Sequence, residues 1–117
     1  MIADSSGNLF GTTSQGGAFE NAYGFFTYGT VFEIVKTASG YASSPTTLVS
    51  FNGTGGGSPF AGLIADSSGN LFGTTMLGGG YNDGTVFEIV KTASGYASTP
   101  TTLVSFNAPT ARGQPLA

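Results

Sequence analysis

The sequence predicts an all-β protein made of two propeller-blade-like, four-stranded antiparallel repeats, each completed by neighbouring protomers. Three observations carry this expectation. "IADSSGNLFGTT" stands at residues 2–13 and returns letter for letter at 64–75. "GTVFEIVKTASGYASSPTTLVSFN" at 29–52 returns at 84–107 with a single change, Ser44 becoming Thr99. Internal repetition of this kind outranks local propensity as a guide to architecture. The chain is also rich in turn formers, with 20 glycines, 13 serines and 16 threonines in 117 residues, and no window holds apolar residues at helical spacing over three turns.

The first strand of the repeat is expected at "AGLIAD", 61–66, of which the first copy keeps only residues 2–4. The turn "SSGN" follows, where Gly7 and Gly69 supply the positive φ that side chains resist. Asp4 and Asp66 stand just before it. A short carboxylate there accepts backbone N–H groups and holds a hairpin, so both are assigned to the turn rather than to chemistry. "DSSGN" lacks the alternating oxygen ligands and distal glutamate of a dedicated calcium loop. "NLFGTT" is the second strand. The segment after it is "SQGGAFENAYGFFTY", residues 14–28, in one copy and the shorter "MLGGGYND", 76–83, in the other, which marks it as a loop. "GTVFEIVKT" is the third strand, with Phe32 and Ile34 on one face and Val31 and Val35 on the other, the pattern of a strand covered on both sides. A turn at "ASGY" leads to the fourth, "TTLVSF". The repeats divide the chain into 1–61, with the long aromatic loop, and 62–117, with a C-terminal linking tail. "GTGGGSPFAG" is taken as the link between them. It has no Lys-Ser or Lys-Thr and no helix after it, so it is not a phosphate loop.

Composition removes several functions. Hydrophobic residues make up 39% of the chain, which argues against disorder, while three basic residues against six acidic ones leave no patch for a phosphate backbone. Nucleic acid is not an expected partner. There is no cysteine to form a disulfide, and no histidine to act as general base or metal ligand. Glu33 and Glu88 occupy equivalent mid-strand positions, whereas a glycosidase pair needs two carboxylates within about 5–10 Å of one another. No catalytic residue, cofactor or metal is expected. No apolar run approaches the roughly 18 residues of a membrane span, and the N-terminus lacks a signal-peptide layout, so no membrane insertion is expected. Lys36 and Lys91, in "KTASGY", are expected to guard strand ends against stray pairing.

The insertion places Phe19, Tyr23, Phe25, Phe26 and Tyr28 close together, while the matching loop of the other repeat has Tyr81. Such a cluster is either a satellite core or subunit contact, or a surface that holds sugars, and aromatic rings suit both. Asn52, followed by Gly53 and Thr54, has the form of an N-glycosylation acceptor.

At this point "SFNGTGGGSPFAGLIADSSGNLFGTT", the Gly-Gly loop and "GTVFEI" together resemble the GloVer-type tandem repeats of secreted bacterial proteins, over nearly the whole chain. The resemblance implies an extracellular repeat array, often with a C-terminal surface anchor, and its hairpin piece is similar to hairpins of several β-propeller families. The chain departs from that pattern in Phe10 and Phe72, where tyrosine is usual, in the aromatic insertion, and in "NAPTARGQPLA", which replaces a glycine-rich link. Stable repeat stacks usually need at least about three units and closed propellers about 4 to 8 blades. Each end is expected to be an unfinished blade. Copies of the chain are therefore the expected partners, closing a ring or adding head to tail in a filament. The alternative is a glycan- or receptor-binding propeller module.

Overall fold

The structure, a computed structural model, describes residues 1–17, 28–53, 56–59, 61–80 and 83–106. All regular elements among these residues are strands, as the turn-rich composition requires. The first half holds β1 (Ile2–Ala3), β2 (Leu9–Thr13), β3 (Thr30–Ile34), β4 (Lys36–Thr37), β5 (Gly40–Tyr41) and β6 (Thr46–Ser50). β1, β2, β3 and β6 form one antiparallel sheet in that order, and β4 pairs with β5 as a separate hairpin between β3 and β6. The second half holds β7 (Gly57–Pro59), β8 (Ile64–Ala65), β9 (Leu71–Leu77), β10 (Thr85–Ile89), β11 (Lys91–Thr92), β12 (Gly95–Tyr96) and β13 (Thr101–Ser105). Here β13, β10 and β9 are neighbours, and both β7 and β8 lie along the outer edge of β9. β11 and β12 repeat the small hairpin.

Three features differ from the sequence expectation. "AGLIAD" supplies only the two residues of β8. The glycine-rich stretch taken as a plain link contains a strand, β7, with Gly57 opposite Leu77 and Pro59 opposite Thr75. Proline is tolerated there because β7 is an edge strand. The third strand also leaves its sheet early: "GTVFEIVKT" pairs within the large sheet only as far as Ile34 and Ile89, its last two residues join the small hairpin, and the N–H of Lys36 or Lys91 goes to Asn8 Oδ1 at 2.9 Å or Asn70 Oδ1 at 2.8 Å.

One core lies between the two sheets. The first contributes Phe10, Val31, Val49 and Phe51, and the second Leu63, Leu71, Phe87 and Ile89, all buried. Phe51 meets Phe87 edge to face at 5.1 Å between ring centroids, and Phe10 meets Tyr96 in the same way at 5.5 Å. Such pairs add about 0.5–1.5 kcal/mol beyond the apolar area they remove from water. A bulge interrupts each sheet at the same place, between Val31 and Phe32 and between Val86 and Phe87, sharpening the local twist.

Candidate functional site

The two turns are built alike. Asp4 Oδ1 accepts the N–H groups of Ser6 at 3.0 Å and Asn8 at 2.9 Å, and its Oδ2 accepts the Asn8 side-chain amide at 3.0 Å. Asp66 does the same with Ser68 and Asn70, each contact at 3.0 Å. Gly7 and Gly69 both have φ of 87°, and a Cβ on either would also run into the Lys36 or Lys91 stem. Burial is the largest single influence on Asp4 and pushes its pKa up, but the bonds from Asn8 and Ser6 and the charge of Lys91 together bring it below the ordinary value. For Asp66 the Asn70 side-chain bond dominates, and the net shift is again downward. These carboxylates are held ionised by their own hairpins.

Between the turns lies a groove of about 300 Å³, with Asp4, Ser5, Asp66, Ser67, Lys91 and Tyr96 on its walls. Lys91 also stands over the Tyr96 ring, 5.4 Å from its centroid. Glu33 nearby has its pKa raised, first by burial and then by the charge of Asp4, with Lys91 acting in the opposite sense. Among the described residues no three acidic groups come together as a metal site. The groove offers hydroxyls, carboxylates, the Lys91 amine and the rings of Phe10 and Tyr96.

A second feature is an open strand edge. β1 covers β2 only at Leu9 and Phe10, and among the described residues no strand pairs with the outer side of Gly11, Thr12 or Thr13. On the equivalent edge of β9, β8 covers Leu71 and Phe72, and β7 covers the stretch from Thr75 to Leu77. Threonine pairs brace the inner side of both strands. Thr13 Oγ1 lies 2.8 Å from Thr30 Oγ1 and accepts the Thr30 N–H at 3.0 Å, as Thr75 does with Thr85.

Of the aromatic cluster, Phe19, Tyr23, Phe25 and Phe26 lie outside the described residues, as does Tyr81. Tyr28 turns inward: its ring lies against Gly53 and Gly57, it packs on the core, and its carbonyl accepts the Ser58 N–H at 2.7 Å. Asn52 is exposed, and Thr54 of its acceptor sequence lies outside the described residues. Asn8, Asn70 and β7 are the elements that sequence reasoning passed over. The signal for the asparagines was present, an amide four residues after each turn aspartate in both copies.

Fold and site together define an all-β protein with two alike antiparallel sheets and one shared core among the described residues. No protein-family model, curated protein or solved structure matches the chain.

Proposed function

We propose that this is an extracellular structural protein, without catalytic activity, that assembles head to tail by completing its β-repeats between copies. The observation that carries the proposal is the unequal outer edge: β9 has β7 beside Thr75 and Leu77, while β2 has no such strand beside Thr13 among the described residues. An exposed edge of unpaired N–H and C=O groups recruits another strand. The chain also carries a fitting strand sequence. "GQPLA" at 113–117 repeats the pattern of "GSPFA" at 57–61, which contains β7. Transferring the register of β7 sets Pro115 of one copy opposite Thr13 of the next, a case of strand addition. Blade-like repeats and secretion are supported by the resemblance to GloVer-type proteins, and the scarcity of charge leaves few groups to repel a neighbour.

Sedimentation and electron microscopy of the purified chain test this. The expected result is a ring of finite mass or a filament, lost when residues 112–117 are removed. A compact, cooperatively melting species of 11.7 kDa at micromolar concentration would sink it. The second reading, a glycan- or receptor-binding propeller module, is favoured by the groove between the turns, with its serines, carboxylates and Tyr96. Glycan-array binding that Tyr96→Ser abolishes, in a chain that stays monomeric, is the result that selects it.

A further inference from the structure

The two sheets have nearly the same sequence, yet they bury opposite faces. The first sheet packs with Phe10, Val31, Val49 and Phe51. The counterparts of these residues in the other repeat, Phe72, Val86, Val104 and Phe106, are all less covered, Val104 being 47% exposed. The second sheet packs with Leu63, Leu71, Phe87 and Ile89. Of their counterparts, Leu9, Phe32 and Ile34 are only half-buried and Met1 is 69% exposed. Every member of the core thus has a twin facing away from it. Among the described residues one face of the second sheet and the reverse face of the first are only partly covered, and their apolar residues copy those of the two surfaces that already fit each other inside the chain.

We propose that a second copy of this chain covers these faces, laying its first sheet on the open face of the second sheet in the register of the internal contact. The proposal rests on the self-assembly reading above and names the surface that joins the copies. Inside the chain Tyr96 packs on Phe10. Its twin Tyr41 is 50% exposed, and the twin of Phe10 is Phe72, beside which Ile64 is 68% exposed. A depression of about 150 Å³ lined by Ile64, Phe72, Thr74 and Val86 lies open there. Charges match as well. Lys91 acts on both Asp4 and Glu33 across the internal contact, and the corresponding groups at the new one are Lys36, Asp66 and Glu88. Because the two surfaces differ, the contact is heterologous and leaves a free face at each end, so it continues into a ring or a filament.

Two measurements on the full chain test the surface. The first is sedimentation velocity of the wild type beside the double variant Ile64→Lys, Val104→Lys, whose side chains are exposed in the single chain. The wild type is expected at twice 11.7 kDa or more, and the variant at 11.7 kDa with unchanged circular dichroism. The second uses the absence of native cysteine. An equimolar mixture of Tyr41→Cys and Phe72→Cys chains, treated with a short bifunctional maleimide, is expected to yield a cross-linked heterodimer that neither chain yields alone. If the wild type assembles but the lysine variant assembles equally well and the mixture does not cross-link, the face contact is wrong while strand completion stands. If the wild type is monomeric, both fall.

Discussion

Asp4 and Gly7 build their turn from local chemistry, a carboxylate that accepts two backbone N–H groups and a glycine at positive φ within four residues. Asn8 reaches further, because its side-chain oxygen accepts the N–H of Lys36, 28 residues away. Gly69→Val is expected to cost about 1–3 kcal/mol, the range for a side chain forced into sparsely populated backbone space. Urea unfolding checks this, with Asp66→Asn expected to cost less since an amide oxygen still accepts the turn bonds. The pH dependence has two opposed parts. Asp4 and Asp66 have lowered pKa values, so their contribution is present above the ordinary carboxylate pKa and is lost as pH falls through the folded values. Glu33 has a raised value, from burial first and Asp4 second, so its contribution is largest in acid and declines as pH rises through the folded value. Glu33→Gln is therefore expected to raise the melting temperature at pH 7, and the gain should vanish when melting is repeated at acid pH. A constant gain at both would assign the effect to packing instead.

At the scale of the strand, alternation told which residues share a face but not which face is covered. Val31 and Phe32 point to opposite sides in either copy, yet Val31 is buried in one and Phe87, the twin of Phe32, in the other. Only docking decides, and docking is not written in a repeat whose copies are nearly identical. β7 escaped notice for a related reason: glycine and proline argue for a turn, and strand character comes from the edge of β9 that it meets. Phe32 and its buried twin Phe87 each have a glycine across the ladder, Gly11 and Gly73, and a Cβ there would run into the ring. Phe87→Ala is expected to cost about 3–5 kcal/mol, as for a fully buried aromatic. Phe32→Ala, measured by urea unfolding in the Ile64→Lys, Val104→Lys chain, is expected to cost less than half as much. Equal costs would mean that Phe32 is already covered within its own chain.

For the molecule as a whole, nearest-neighbour packing makes stability a sum over sheet contacts rather than a property of one closed core. The described residues form one such contact, whose core holds Phe10, Val31, Val49 and Phe51 against Leu63, Leu71, Phe87 and Ile89. A third repeat joined behind the second, a further copy of residues 53–107, would present its counterparts of Leu71 and Phe87 to the open face that holds Phe72, Val86 and Val104. That adds a contact with the same side chains without adding a new kind of surface. The slope of unfolding free energy against urea scales with the surface exposed, so it should increase as the third sheet joins the cooperative unit, and the midpoint should move upward together with it. Both changes are expected in the lysine variant of the second sheet's face only if the added repeat docks elsewhere. An unchanged slope in the three-repeat chain, with the extra repeat melting separately, would show that the fit between Phe10 and Tyr96 is peculiar to its place and is not passed from one repeat to the next.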